Sequence, residues 1–234
     1  MVEKVYIVAS CKSWHKPSFI DFSKKSSGKW IWVETPQELL DVLKSVTPRY
    51  IFFLHWNWYV PNEIWDKYEC VCFHMTDVPY GRGGSPLQNL ILEGHAVTKL
   101  TALKMVKEMD AGPVYIKRDL PLDGAAQDIY MRAGTMSFEI IQWLIENEPN
   151  PVPQTGEPHF FKRRKPEQSC LPEKGSPKEI YDFVRMLDAE SYPRSYIEYG
   201  NMRIEFKDAK IHGNVVSTSA SITFKEGEEG DNGC

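Results

Sequence analysis

Four short apolar runs set the frame for this chain: residues 5–9 (VYIVA), 30–33 (WIWV), 50–54 (YIFFL) and 70–74 (CVCFH). A strand with one wet face alternates apolar and polar residues. A continuous apolar run instead fits a strand covered on both faces, as in a parallel sheet flanked by helices. Helix signals fall between the runs. Thr35, Pro36 and Glu38 supply an N-cap, a first helical position and a capping box ahead of Leu39, Leu40, Val42, Leu43 and Val46 at helical spacing. Residues 61–68 read as a short helix, and the Lys- and Ser-rich stretch after residue 9 is read without an element. Strands alternating with helices predict an α/β domain with a mainly parallel sheet. Ligands bind such sheets at the carboxyl ends of the strands, where His55, Asn57 and His74 emerge.

The second half changes character. Residues 101–106 and 112–117 read as a strand pair flanking the turn Met109-Asp110-Ala111-Gly112. Residues 125–147 form a long amphipathic helix, with Gly134 as its weak point. A proline-marked loop follows (Pro149, Pro151, Pro153, Pro158), and then a second capping box, Ser176 to Glu179, opens a helix to about residue 187. Residues 202–206, 209–212 and 215–224 read as β. The expected division is a catalytic domain over 1–188, a small β segment over 189–225 and a disordered tail over 226–234.

Composition excludes several classes. The formal charge of −4 argues against a nucleic-acid partner, whose phosphates favour a basic face. The run Lys162-Arg163-Arg164-Lys165 is read as a solvated loop. No apolar stretch approaches the ~20 residues that span a bilayer, and the N-terminus does not read as a signal peptide. Five cysteines without a CxxC pair do not make a disulfide scaffold. A cytoplasmic enzyme is the expected class.

The densest chemical signal is residues 73–91, FHMTDVPYGRGGSPLQNLI. A histidine leaves a strand, a loop with Pro79, Gly81, Gly83 and Gly84 follows, and Pro86 starts an apolar helix. Such glycines let backbone amides approach a ligand; the bland alternative is a connecting turn with a satisfied histidine. The loop lacks the Lys-Ser/Thr pair of a phosphate-binding Walker loop, and it does not follow the first strand as a dinucleotide fingerprint would. Cys70, Cys72 and His74 share one strand face. They are either three soft zinc ligands lacking a fourth or a buried face of small cysteines.

His74, Pro79 and Arg82-Gly83-Gly84-Ser85-Pro86-Leu87-Gln88 resemble the signature of the 10-formyltetrahydrofolate-dependent formyltransferases, and Met109-Asp110-Ala111-Gly112-Pro113-Val114 resembles the segment bearing their catalytic aspartate. The resemblance implies a Rossmann-like fold and transfer of a formyl group to an amine. His74 would stabilise the oxyanion or manage its proton, and Asp110 would orient the imidazole. The family's asparagine two positions before the histidine is Cys72 here, and Asn57 is the candidate replacement. The resemblance puts His55, Trp56, Trp58, Gly81, Arg82, Gly83, Leu87, Val106 and Met109 on the folate, and Ser10, Lys12, Trp14, Asp77 and Tyr80 on the acceptor. The wording of the motif looks most like that of the sugar-nucleotide N-formyltransferases of pseudaminic acid synthesis. The implied acceptor is therefore the 4-amino group of a UDP-linked amino sugar, with no nucleic acid and no membrane as partner. Hydrolysis of the formyl-folate, or formylation of a tRNA-bound or carrier-bound amino acid, is the alternative. A homodimer through an exposed C-terminal β segment is a further expectation.

Overall fold

A computed structural model describes residues 3–190 and 192–225, so the expected tail lies outside the described residues. The described chain runs β1 (Val5–Ala9), α1 (His15–Lys25), β2 (Lys29–Val33), α2 (Pro36–Leu43), β3 (Tyr50–Phe53), α3 (Asn62–Trp65), β4 (Cys70–His74), β5 (Arg82–Gly83), α4 (Pro86–Leu92), β6 (Val97–Lys104), β7 (Val114–Pro121), α5 (Ala126–Asn147), β8 (Phe160–Phe161), α6 (Pro177–Arg185), β9 (Ser195–Tyr199), β10 (Met202–His212) and β11 (Val215–Phe224). Two compact units emerge. One takes the chain up to Pro86, then Val97–Pro121 and Tyr130–Lys162; the other takes Leu87–Ala96, Leu122–Ile129 and the chain from Arg163 on.

The first unit holds a six-stranded sheet in the order β2-β1-β3-β4-β6-β7. Strands β2, β1, β3 and β4 are parallel, while β6 runs antiparallel to both β4 and β7. The continuous apolar runs are explained by burial on both faces. Ile7, Ala9, Ile51 and Phe53 pack with Leu39 of α2 and Ile64 of α3. On the opposite face Tyr6 stacks on Trp30, and Phe22 of α1 meets both Trp30 and Phe138 of α5. Phe52 is fully buried there, and burial of one such side chain stabilises by about 2 kcal/mol. The Lys- and Ser-rich stretch read without an element contains α1, in which His15 and Phe19 are buried and Phe22 is half-buried. Two buried residues are too sparse an apolar stripe to read from sequence.

The cap of α2 forms as read, with Thr35 accepting from the Glu38 amide at 3.2 Å; the Glu38 side chain reaches the amide of Glu34 rather than that of Thr35. Gly134, the expected weak point of the long helix, has a packing reason. A Cβ there would lie 2.6 Å from His15 Nδ1, so the missing side chain admits the histidine ring against α5.

The second unit packs α6 with a three-stranded antiparallel sheet ordered β11-β10-β9. The Ser176–Glu179 box caps α6 on both sides. The buried Arg185 guanidinium pairs with Asp182 at 2.6 Å and donates to the carbonyls of Leu122 and Gly124. The last two expected strand pieces before residue 215 are one strand, β10, bent at a bulge between Lys207 and Lys210. No helix among the described residues is long and apolar enough to cross a membrane.

Candidate active site

His74 is the last residue of β4, buried, with its backbone paired opposite Thr101 of β6. The loop that follows is held on several sides. Thr98 and Thr101 donate their hydroxyls to the carbonyls of Met75 and Thr76 at 3.2 and 2.7 Å. Lys117 donates to the Val78 carbonyl and pairs with Asp77, each at 2.6 Å; the Val78–Pro79 peptide bond is cis. The loop then turns back to place the Gly81 carbonyl 2.8 Å from His74 Nε2. A carbonyl only accepts, so Nε2 carries the proton and Nδ1 is the lone pair of the neutral ring.

Nδ1 faces Asp110, whose Oδ2 lies 3.6 Å away. Asp110 adopts the left-handed backbone (φ 53), and the same Oδ2 accepts the amide proton of Gly83 at 2.9 Å. Glycine is required at position 83. Its φ is 104, and a Cβ would stand 2.5 Å from the carbonyl oxygen of Phe161. The site thus brings a buried imidazole, a carboxylate and a backbone amide together from three separated segments. An imidazole with a free lone pair beside a carboxylate is equipped to take a proton and to be stabilised once charged.

The remaining predicted residues divide. Arg82 donates from Nε and Nη2 to Gln154 Oε1 at 3.1 and 2.7 Å. Trp56 and Trp58 meet edge to face at 4.9 Å, with Trp56 against the core and Trp58 exposed. Met109 is exposed and Val106 half-buried, whereas Leu87 is fully buried in α4. Asn57 is exposed after β3, and no hydrogen bond among the described residues joins it to His74 or Asp110. Ser10 is buried and accepts from the Lys12 amide at 3.3 Å; the Lys12 ammonium lies 5.4 Å from the Trp14 ring. Tyr80 stacks on His159 at 4.7 Å.

The thiols of β4 do not converge with His74 on one point. Cys72 donates to the Leu103 carbonyl at 3.6 Å, and burial pushes the Cys70 thiol up to about 12 and raises that of Cys72 as well. No group of three metal-ligating side chains gathers among the described residues.

His55, expected on the folate, stands beside a second histidine. Its ring is hydrogen-bonded to His15 at 2.8 Å, with Trp14 and Tyr130 around it. Burial, then His15, then Lys12 lower its pKa to about 3; burial, then Lys12, lower that of His15 to about 4. Sequence reasoning missed His15, which sits in an unrecognised helix, and Gln154, which sits in a loop without a motif.

A Rossmann-like sheet, a histidine ending its fourth strand and an aspartate turn beside it bring an imidazole and a carboxylate together at the strand ends. The chain belongs to the 10-formyltetrahydrofolate-dependent formyltransferase family. It is 41% identical to a methionyl-tRNA formyltransferase from Clostridium thermocellum, covering 94% of this chain and 99% of that one with a TM-score of 0.91. A methionyl-tRNA formyltransferase from Clostridium botulinum is 25% identical over 83% of this chain, and the chain spans 65% of that relative's length. Residues 166–223 match the model of the methionyl-tRNA formyltransferase C-terminal domain.

These matches overturn the expected acceptor. A sugar N-formyltransferase from Shewanella shares the fold at a TM-score of 0.65 but only 14% identity over 87% of this chain and 96% of that one. The UDP-linked amino sugar, the pseudaminic acid pathway and the exclusion of nucleic acid are therefore withdrawn. The motif wording marks the formyltransferase family as a whole, so it does not discriminate between acceptors. The charge argument failed for a separate reason. Glu226, Glu228, Glu229 and Asp231 account for the whole formal charge of −4, leaving residues 1–225 neutral.

Proposed function

We propose that this chain transfers the formyl group of 10-formyltetrahydrofolate to the amine of methionyl-tRNA. The observation that carries the reading is the His74–Asp110–Gly83 arrangement in a chain 41% identical, over nearly its full length, to a methionyl-tRNA formyltransferase. The folate, when bound, supplies an activated formyl carbon open to attack by a neutral amine. The exposed faces of Trp58 and Met109, with Trp56 and Val106, offer the apolar surface that a flat pteridine requires. Gly81, Arg82 and Gly83 are carried forward on the folate side, where the Arg82 and Gly83 amides are held by the His159 carbonyl and the Asp110 carboxylate. Ser10, Lys12, Trp14, Asp77 and Tyr80 are carried forward as the acceptor side.

In this reading His74 is the proton carrier. Its Nε2–H is committed to Gly81, so Nδ1 would receive the proton leaving the attacking amine and return a proton to the folate nitrogen as its bond to the formyl carbon breaks and tetrahydrofolate leaves. The imidazolium that results lies 3.6 Å from the Asp110 carboxylate. At that separation, and at an effective dielectric of about 20, the attraction is on the order of 4 kcal/mol. The Gly83 amide donates to the carboxylate oxygen and orients Asp110. Asn57 is proposed as the oxyanion donor in place of the side chain at Cys72; an Asn57→Ala protein with undiminished turnover would remove it. A cytoplasmic location goes with a charged-tRNA substrate.

The test is transfer of radiolabelled formyl from 10-formyltetrahydrofolate to methionyl-tRNA, with uncharged tRNA and free methionine as controls. Label that enters only the charged tRNA supports the proposal. Equal labelling of free methionine, or none with any acceptor, contradicts it.

A further inference from the structure

The loop after α5 carries no catalytic motif, yet one of its side chains saturates its hydrogen-bonding capacity inside the site. The loop is anchored two residues earlier, where Val152 and Val114 exchange backbone hydrogen bonds at 2.7 and 2.8 Å. Gln154 Oε1 then accepts from Arg82 twice, at 3.1 and 2.7 Å. Its Nε2 donates to the carbonyls of Asp110 and Gly112, both at 2.8 Å. Two donor hydrogens and two acceptor lone pairs are the full inventory of a carboxamide, and all four are engaged.

The two carbonyls flank Ala111, so gripping both fixes the peptide planes of the turn in which Asp110 holds its left-handed backbone. The third partner, Arg82, directly precedes Gly83, whose amide binds the Asp110 carboxylate. Gln154 therefore ties together both ends of the Asp110–Gly83 link without touching His74. We infer that Gln154 is a positioning residue that sets where the Asp110 carboxylate stands beside His74; for its activity readout this rests on the proposed formyl transfer.

Gln154→Glu separates the two halves of the grip. It keeps an acceptor for Arg82, removes both donors and turns an anionic oxygen toward two carbonyls. The expected result is kcat down on the order of tenfold to a hundredfold with KM for the folate within about threefold, as for displacement of a catalytic group. Amide exchange at Gly83 accelerates by about tenfold or more in the same protein, because its acceptor has moved. Gln154→Ala, which removes all four bonds without the repulsion, is expected to show the same pattern, with cooperative unfolding retained in both. Unchanged kcat together with unchanged Gly83 exchange overturns the inference, as does a rise in KM with kcat intact. If the wild-type protein transfers no formyl group, the functional proposal fails alone. Gly83 exchange in the two variants still decides the positioning role.

Discussion

At the carboxyl end of β3, His55 meets His15; at the carboxyl end of β4, His74 meets Asp110 and the Gly81 carbonyl. The two clusters stand at the ends of neighbouring parallel strands, but their electrostatics diverge. Among the described residues no carboxylate perturbs the His15–His55 pair, and burial lowers both pKa values. One N–H between two imidazoles satisfies a buried contact and stores no charge. At His74 a carboxylate stands opposite the unprotonated nitrogen, and a charge arriving there is stabilised. The comparison shows that chemistry on this fold depends on what faces the ring and not on the histidine itself.

The largest expected effect breaks the second cluster. Asp110→Asn keeps an acceptor for Gly83 but removes the charge opposite His74, and formyl transfer is expected to fall on the order of a hundredfold in kcat. Steady-state kinetics on methionyl-tRNA checks it, and a loss of less than about threefold would place no catalytic charge at Asp110.

Acid sharpens the first cluster. His15 and His55 have folded pKa values of about 4 and about 3, below the ordinary histidine value of about 6.5. Between those values the unfolded chain binds more protons. Their contribution is therefore complete above about pH 6.5 and is lost as pH falls toward 4, on the order of 3 kcal/mol for each ring. Denaturant unfolding across that window should show a slope that His15→Phe reduces. At neutral pH the same variant orphans His55, at a cost of about 1–2 kcal/mol. Its formyl transfer is expected to stay within about threefold of wild type, because the pair carries no charge in the reaction.

The smallest effect concerns Gly134. Alanine there gains about 1 kcal/mol of helix propensity. Its Cβ, however, would stand 2.6 Å from His15 Nδ1. Overpacking of about 1–3 kcal/mol is expected to win, so thermal unfolding should show a lower Tm for Gly134→Ala. A higher Tm would mean that the His15 ring shifts freely and the pair is loosely held.

The parallel half of the sheet was legible because burial on both faces leaves an apolar run that needs no alternation, and the α2 and α6 caps were legible because their hydrogen bonds are local. The helix α1 was not, since of its residues His15 and Phe19 alone are buried. In the site, His74 and Asp110 stand in recognisable motifs. Gln154 acts 44 residues away from Asp110 through backbone carbonyls, and no side-chain pattern encodes such a contact. His55 was read as a ligand residue because strand ends hold ligands, but its partner came from the unrecognised helix. The acceptor was misread because the donor-site motif is common to enzymes with different acceptors.

The central claim is that His74 works on a formyl group destined for charged tRNA. Release of tetrahydrofolate from 10-formyltetrahydrofolate, measured with and without methionyl-tRNA for wild type and His74→Ala, tests it most directly. Release is expected to require methionyl-tRNA and to fall on the order of a hundredfold or more in the variant. Release at the same rate without methionyl-tRNA, or a variant as fast as wild type, would contradict it.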